Sequence, residues 1–389
     1  MTTATEQVNG QLRFGEAISF EAFDLAPENQ RILGPPHPSN TVTPLALRLT
    51  EESQKPSLDE VVKTIQSLQK DGTLTKQLAR HGTLLFRGLP IRDANEFSKF
   101  GHAFGWKPHE FIGIVIDRPR LGPNVAPANI APPEALFYNH NESPGVPHAP
   151  GYIMFFNQKA PKKGGGQPVS SCLELFNHVQ REMPELINKL VEHGFMSKIT
   201  YNWEKQFPGS ATLYQSFGKE IVEGDDEDTK RQKVEKQLRR YNRGTHTTWE
   251  WTDEGVLVTH HLAAIRTQPE TNLPSFFTGM AAFRKSARSN VNANSSRKAV
   301  FRSFYGDGSD IPVEYLDRLI EITDEIRVLH GWQEGDVTVY DNDISQHGRE
   351  PWEGDQQDRC VMVSAWDNDV LPGPYGFGDW AHTVQPLDG

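Results

Sequence analysis

The chain has 389 residues, a net charge of -11 and a mean hydropathy of -0.58, which is long enough for one large domain or two modest ones. This acidic balance argues against a general nucleic-acid or anionic-membrane surface, and no apolar run approaches the roughly 20 residues of a membrane span. Two cysteines do not make a disulfide framework, and the first residues lack the basic and apolar segments of a secretory signal, so we expect a cytoplasmic protein.

The first part of the chain predicts helices around the edge of a sheet. Residues 1–50 are proline-rich and predict an N-terminal arm, whereas 51–389 predict a single domain. Ser57 followed by acidic residues is typical of a helix start. The further elements predicted here are a short helix over 74–79, a buried strand over 83–88 and a helix over 93–104.

From about residue 110 onward, short strands with long insertions dominate. This pattern predicts a mainly β protein with flanking helices, and a double-stranded β-helix (jelly roll) accommodates it. The predicted elements are strands over 112–116 and 151–158, a glycine-rich turn at 164–166, a helix over 173–192 that ends at Gly194, a surface helix over 230–243, a hairpin over 249–259, strands over 262–266 and 275–283, a polar, mobile excursion over 285–298, a helix over 315–328, and strands over 337–340 and 360–366.

Two short stretches far apart in sequence carry a metal-ligand pattern. His140 and Glu142 are separated by one residue, so on an extended strand both side chains face the same way. His347 would complete a set of two imidazoles and one carboxylate, which is the facial triad of non-haem Fe(II) oxygenases. Arg359 follows, and its guanidinium is suited to a two-pronged bond with a carboxylate. A His-x-Glu pair also occurs by chance, so the pattern gains weight only from its neighbours.

With these neighbours, the chain resembles the taurine dioxygenase/clavaminate synthase-like family of Fe(II)- and 2-oxoglutarate-dependent oxygenases. The resemblance covers about residues 55–370. It is carried by HGTLLFRGLP at 81–90, HNE at 140–142, the glycine turn at 164–166, WEW at 249–251, and the stretch from 341 through HGR at 347–349 to Arg359.

The resemblance implies a jelly-roll fold with Fe(II) on His140, Glu142 and His347. It also implies that Arg359 binds the co-substrate 2-oxoglutarate, while O2 is the second co-substrate. One departure concerns the residue after the glycine turn, where the family usually has a threonine and this chain has Gln167. We expect the amide of Gln167 to contact 2-oxoglutarate in its place, with Ser170 or Ser171 as the alternative.

The implied activity is oxidation of an unactivated C–H bond of a small polar substrate, amino-acid-like or another carboxylate. Hydroxylation, desaturation and ring closure all remain open as outcomes. We expect Tyr138, Arg118 and Arg349 to be polar groups of the substrate pocket, although Arg349 could equally brace Arg359 or a loop. The expected partner is a small molecule, without nucleic acid or membrane, and homo-oligomers are common among such barrels.

Two other classes of protein remain open at this stage. One is a cupin-like metal-dependent hydrolase or isomerase, which would need neither Arg359 nor 2-oxoglutarate. The other is a non-catalytic binding protein on the same fold.

Overall fold

The computed structural model describes residues 6–8, 11–15, 18–51, 55–113, 118–128, 131–204, 211–241, 246–292 and 301–376. The protein is mainly β with flanking helices. Within these ranges, no helix has the length and apolar character needed to cross a membrane.

The helices lie mostly outside the sheets. They are α1 (Leu58–Lys70), α2 (Thr73–His81), α3 (Ala94–His102), α4 (Cys172–Glu182), α5 (Pro184–His193), α6 (Leu213–Ser216), α7 (Glu227–Leu238), α8 (Met280–Asn292) and α9 (Val313–Ile326).

The strands are short and numerous. They are β1 (Glu6–Val8), β2 (Gln11–Phe14), β3 (Phe20–Phe23), β4 (Arg31–Ile32), β5 (Val42–Thr43), β6 (Leu45–Leu49), β7 (Thr83–Arg87), β8 (Lys107–Pro108), β9 (Ala126–Pro127), β10 (Phe137–His140), β11 (Tyr152–Lys159), β12 (Lys163–Gly164), β13 (Gln167–Ser171), β14 (Phe195–Asn202), β15 (Thr247–Thr252), β16 (Gly255–Leu262), β17 (Ile265–Thr267), β18 (Pro274–Phe276), β19 (Phe301–Tyr305), β20 (Val328–His330), β21 (Val337–Asp341), β22 (Ser345–Arg349), β23 (Trp352–Glu353), β24 (Cys360–Asp367) and β25 (Gly373–Pro374).

Capping side chains begin several helices; α1 starts where the sequence predicts it, whereas α7 begins at Glu227 and not at residue 230 as predicted. Ser57 accepts the backbone N–H of Glu60, and the carboxylate of Glu60 accepts the N–H of Ser57, which is a complete capping box for α1. Asp226 caps α7 by accepting the N–H of Thr229. The α5 helix ends at Gly194, whose φ of 75° suits a residue without a Cβ.

The single helix predicted over 173–192 is wrong, because the chain forms α4 and α5 with a break at Met183. Pro184 opens α5, and a proline disfavours the helical conformation of the residue before it. Met183 accordingly has φ -134° and ψ 58°.

Two predictions around residue 280 also need correction. The strand predicted over 275–283 ends at Phe276, because the hydroxyl of Thr278 accepts the N–H of Met280 as α8 begins. The excursion predicted over 285–298 is helical as far as Asn292, since Arg284 on α8 binds Asp317 on α9. Its remainder at 293–298 lies outside the described residues, as do 114–116 of the strand predicted over 112–116.

The largest sheet has ten strands in the order β1-β2-β3-β6-β7-β21-β11-β24-β8, with β9 also pairing with β24. Part of the predicted N-terminal arm belongs to this sheet, because β3 pairs with β6 and β6 pairs in parallel with β7. The division into an arm at 1–50 and a domain at 51–389 stays a prediction. On β7, Arg87 binds the buried Asp336 with two hydrogen bonds, 2.8 and 2.9 Å long.

A second, four-stranded sheet has the order β10-β22-β13-β20 and packs over the large sheet. The alternation along β11 demonstrates this packing, since successive side chains of a strand point to opposite faces. Met154 and Phe156 join the core beneath α1, α2 and α3. Ile153 and Phe155 join a different core, shared with Val169 of the second sheet.

The chain crosses from the large sheet to the second one between β21 and β22. Only residues 342–344 separate these two strands. The crossing therefore brings the start of β22 against the inner face of the large sheet, which is where the candidate site lies.

Candidate active site

The register of β10 and β22 brings two histidines together from distant parts of the chain. His140 lies directly opposite His347 in this antiparallel pair, and their ring centroids are 4.7 Å apart. Glu142 completes the group, and one ligand atom from each of the three residues lies within 4.8 Å of the others. The fold therefore assembles the predicted set of two imidazoles and one carboxylate.

A backbone hydrogen bond orients the ring of His140. Its Nδ1 lies 2.7 Å from the carbonyl oxygen of Tyr138, and a carbonyl only accepts, so Nδ1 carries the proton. The lone pair is then on Nε2, the nitrogen through which an imidazole held in this way binds a metal.

Side chains of the large sheet hold the ring of His347. Its ring centroid lies 5.1 Å from that of Phe155 and 5.7 Å from that of Tyr340, both on the inner face of that sheet. Its Nε2 lies 3.5 Å from Oε2 of Glu142, whereas its Nδ1 is buried without a hydrogen-bond partner. The packing thus fixes the plane of the ring and directs Nε2 towards the carboxylate.

Glu142 lies past the end of β10, so strand alternation does not position it, contrary to the prediction. Asn342 holds it instead. The side chain of Asn342 accepts the N–H of Glu142 at 2.7 Å and donates to its carbonyl oxygen at 3.1 Å and to that of Pro150 at 2.7 Å. Asn141 donates in turn to the carbonyl oxygen of Asn342 at 2.6 Å.

The sequence interpretation gave no role to Asn141 or Asn342. The signal available was their position. Asn141 stands between His140 and Glu142, and Asn342 lies just after a predicted strand and before His347. Both side chains are fully buried, and a buried amide requires partners.

The electrostatics of the group favour a neutral imidazole at His140 and an ionised carboxylate at Glu142. Burial, followed by the nearby His347, lowers the pKa of His140 to about 4. Burial raises the pKa of Glu142. The hydrogen bond from His347 and the charges of His347, His140 and Arg118 outweigh burial and lower this pKa to about 2. These protonation states are the ones that bind a divalent metal ion.

Arg359 lies immediately before β24 and is largely buried. Burial, followed by the neighbouring Arg349, lowers the pKa of its guanidinium to about 10. Its Nε is buried without a hydrogen-bond partner, and no carboxylate of the described residues lies within 4.0 Å of it. A guanidinium in this condition is suited to an anionic ligand, because burying an unpaired charge is costly.

Gln167 begins β13 and is buried. It lies two residues before Val169, which joins the core between the two sheets, so both side chains face that space. The hydroxyl of Thr338, on the large sheet, donates to Oε1 of Gln167 at 3.4 Å. Its predicted contact with 2-oxoglutarate stays a prediction.

Arg118 lies near the candidate ligands. Burial lowers the pKa of its guanidinium, while the negative charge of Glu142 raises it. One terminal nitrogen donates to the carbonyl oxygen of Pro127 at 3.1 Å, and Nε is buried without a partner. Among the described residues, no carboxylate approaches this guanidinium within 4.0 Å.

Tyr138 does not join this group. The four residues of β10 from Phe137 to His140 lie opposite three residues of β22, and this irregularity breaks the alternation of faces between Tyr138 and His140. The hydroxyl of Tyr138 donates to the carbonyl oxygen of Ile320 and lies 3.0 Å from Asp324, both on α9. These contacts argue against the predicted role in the substrate pocket.

Arg349 is buried and braces a loop. Its guanidinium donates to the carbonyl oxygens of Ala131, Pro132 and Ala135. It also lies 4.5 Å from the ring centroid of Trp352, which Arg359 approaches to 5.4 Å. The bracing role, which the sequence left open for Arg349, agrees with these contacts better than substrate binding does.

The three candidate ligands fit Fe(II). Two imidazole nitrogens and one carboxylate oxygen, converging from one side, match the facial triad and leave positions for other ligands. The proton held on Nδ1 of His140 adds the second-layer contact expected around such a centre.

The sequence matches the family model described as taurine catabolism dioxygenase TauD, TfdA family, over residues 42–366, and the chain belongs to this family. It is 26% identical over 327 residues to a clavaminate synthase-like protein of Arabidopsis thaliana, covering 83% of this chain and 89% of the relative. It is 23% identical over 296 residues to the dapdiamide synthesis protein DdaC of Enterobacter agglomerans, covering 74% and 83%. A crystal structure of a taurine dioxygenase from Burkholderia xenovorans has a TM-score of 0.43 and 13% identity, covering 84% and 87%.

Family membership makes the protein a dioxygenase that uses Fe(II), 2-oxoglutarate and O2. The oxygenase class is thereby confirmed. The family assignment favours it over the hydrolase, isomerase and binding-protein alternatives.

Proposed function

We propose that His140, Glu142 and His347 hold the iron of this oxygenase and that it oxidises a C–H bond of a small anionic substrate. The observation that carries the proposal is the convergence of these three side chains from β10, from the segment that follows it and from β22. We further propose that the two sheets packed around the site form the jelly roll implied by the sequence resemblance.

The chain's own residues have separable roles in this proposal. Arg359 pairs with the far carboxylate of 2-oxoglutarate, which orients the keto-acid end towards the iron. The amide of Gln167 gives this co-substrate a further polar contact. The bound Fe(II), with 2-oxoglutarate and O2, supplies the oxidant that removes a hydrogen atom from the substrate, with succinate and CO2 as co-products. The protein holds the target carbon in a dry, fixed position.

Arg118 supports an anionic substrate. Its guanidinium is largely buried, faces the charge of Glu142, and has no carboxylate partner within 4.0 Å among the described residues. A carboxylate of the substrate would supply that partner and would fix the distance between the anionic end and the iron. An amino-acid-like molecule or another small carboxylate meets this requirement.

The first experiment is an anaerobic titration of the metal-free protein with Fe(II) and then 2-oxoglutarate, followed by visible absorption. We expect a weak charge-transfer band when 2-oxoglutarate chelates the iron. Arg359→Ala should lose this band at concentrations that saturate the wild type, and Arg359→Lys should recover only part of it, because a lysine lacks the two-pronged geometry.

The matched control is Arg120→Ala, which removes an exposed arginine of the loop that carries Arg118. It should leave the band unchanged. A band of full intensity in Arg359→Ala would contradict the assignment of the co-substrate residue. A wild-type protein that binds Fe(II) but gives no band would contradict the proposed co-substrate site.

The second experiment tests the substrate class by measuring succinate release over a panel of small carboxylates and their uncharged amides. We expect turnover of carboxylates and a rise in KM of about 100-fold for Arg118→Gln, from the loss of a buried charged pair worth about 3 kcal/mol. Arg120→Gln is the control. Equal turnover of acids and amides by the wild type would overturn the anionic class. Mass spectrometry of the product separates hydroxylation, which adds one oxygen atom, from desaturation or ring closure, which removes two hydrogen atoms.

A further inference from the structure

A second cluster of metal-ligating side chains lies outside the candidate iron site. It comprises His109, His148 and Asp367, and one ligand atom from each lies within 4.8 Å of the others. Its composition, two imidazoles and one carboxylate, is the same as that of the first cluster. We call these three residues the His-His-Asp cluster.

Three separate parts of the chain build this cluster. His109 directly follows β8, and its backbone N–H donates to the carbonyl oxygen of Ala365 at 3.1 Å. Asp367 ends β24 and pairs in register with Lys107 of β8. His148 lies in the segment between β10 and β11, which also carries Glu142. The sheet register thus fixes two ligands and the segment after Glu142 delivers the third.

One of the two distances within the cluster suits ligands that share a metal ion. Nδ1 of His109 lies at hydrogen-bond distance, 2.6 Å, from Oδ1 of Asp367, a contact that a shared ion would lengthen, while Nε2 of His148 lies 3.7 Å from the same oxygen. The second distance is too long for a hydrogen bond. It is close to the separation of about 3.5 Å between two ligands that each lie about 2.1 Å from one tetrahedral ion. It also resembles the 3.5 Å between His347 and Glu142 in the first cluster.

The cluster is also shielded from solvent. The side chains of His109 and His148 are 1% and 8% exposed, and that of Asp367 is 18% exposed. The two imidazole ring centroids are 4.4 Å apart, and the edge of Phe111 packs against His109 at 4.6 Å. Within the described residues, the four ring nitrogens of these histidines have one hydrogen bond, from His109 to Asp367, and a bound cation would use nitrogens that have none.

We propose that His109, His148 and Asp367 form a second metal site that binds one divalent transition ion, such as Zn(II), with water completing its coordination. Two imidazoles and a carboxylate are ligands that such ions prefer. The ion joins the segment that leads from His109 towards Arg118 to the segment that follows Glu142. Its role is to hold two active-site segments together, and this proposal does not depend on the proposed iron ligands or substrate.

The test is a titration of the metal-free protein with Co(II), whose visible absorption reports both the number of sites and their ligands. We expect the wild type to bind two equivalents per chain. The double variant H140A/H347A should bind one, and His148→Ala in that background should bind none. His178→Ala is the matched control, because His178 lies 3.5 Å from Glu182 with no third ligand in the described part of the chain, and it should change nothing.

A wild type that binds one equivalent, with none left in H140A/H347A, would overturn the second site and leave the proposed iron site intact. An equivalent that remains in H140A/H347A but is insensitive to both His148→Ala and Asp367→Asn would also overturn it. The unfolding temperature of the H140A/H347A protein is measured as well, because it distinguishes the loss of a site from misfolding. Zn(II) should raise it in that protein, and an unchanged value at saturating Zn(II) would contradict a site that joins two segments.

Discussion

The position of Glu142 depends on Asn342, and replacing this asparagine is the sharpest test of how the site is built. Asn342→Ala removes three side-chain hydrogen bonds, two with the backbone of Glu142 and one with the carbonyl oxygen of Pro150. Each such bond contributes about 1 kcal/mol net, so we expect the free energy of unfolding of the metal-free protein to fall by about 3 kcal/mol. Urea unfolding measures this loss.

The same substitution should weaken metal binding. Removing a residue that orients a metal ligand typically costs about 10–100-fold in metal affinity, and we expect a loss in this range for Fe(II) or Co(II). Competition with a chromophoric chelator measures the affinity under anaerobic conditions.

Asn157→Ala is the matched control, because Asn157 is equally buried. Asn157 lies near the end of β11, and its amide donates to the carbonyl oxygen of Gln333, which is not part of the candidate site. It should destabilise the protein and leave the metal affinity unchanged. If Asn342→Ala changed the metal affinity no more than Asn157→Ala does, the role of Asn342 in positioning Glu142 would be refuted.

Three further substitutions test the pairing of β10 with β22, the ion pair of Arg87 with Asp336, and the role of Tyr138. Gly348→Ala should destabilise the protein by about 1–3 kcal/mol and weaken metal binding, because its Cβ would collide with the carbonyl oxygen of Phe137 and separate β10 from β22, whereas Gly373→Ala, with open space around its Cβ, should be neutral in both assays. Asp336→Asn should lower stability at neutral pH. Burial raises the pKa of Asp336, but the hydrogen bonds and charge of the bound Arg87 outweigh burial and hold this pKa below its usual value. The resulting stability is present above the usual carboxyl pKa and is lost as the pH falls through the folded-state pKa. Unfolding curves of the two proteins should therefore converge in acid, and a constant difference would contradict the assignment. Tyr138→Phe should cost about 1 kcal/mol of stability and leave the substrate KM unchanged, and a raised KM would restore this tyrosine to the pocket.

The fold was predictable where local patterns decide the structure. The start of α1 follows from Ser57 and Glu60, which need only each other to cap a helix. The apolar run at 152–156 correctly indicates a central strand, because β11 is buried on both faces. The break at Met183 could also have been predicted, because Pro184 disfavours a helical residue before it. The apolar periodicity that continues across the break favoured one helix instead.

The strand predicted over 275–283 failed for a different reason. Its residues are apolar enough for a strand, and the choice between strand and helix beyond Phe276 depends on what they pack against. In the folded protein α8 packs on α9 through ion pairs such as that of Arg284 with Asp317, a contact between residues 33 positions apart. A pattern read along one stretch of sequence contains no information about that partner.

The candidate site divides in the same way. The residue types at 140, 142 and 347 predict a metal centre once the neighbouring motifs are added, and the register of β10 with β22 brings the two histidines together. What orients them could not be predicted. The carbonyl of Tyr138, the amide of Asn342 and the ring of Phe155 act through contacts that exist only after the two sheets have packed.

The crossing from β21 to β22 explains why so many functional groups come from so little of the chain. Residues 337–367 supply a strand of each sheet and with them His347, Arg359 and Asp367, while residues 137–156 supply the opposing strands with His140, Glu142 and His148. The second candidate cluster draws on the same two stretches and on His109, which lies outside both. A metal ion bound by His140, Glu142 and His347 would oppose separation of the two stretches, so the register that aligns His140 with His347 would be stabilised by the site it creates.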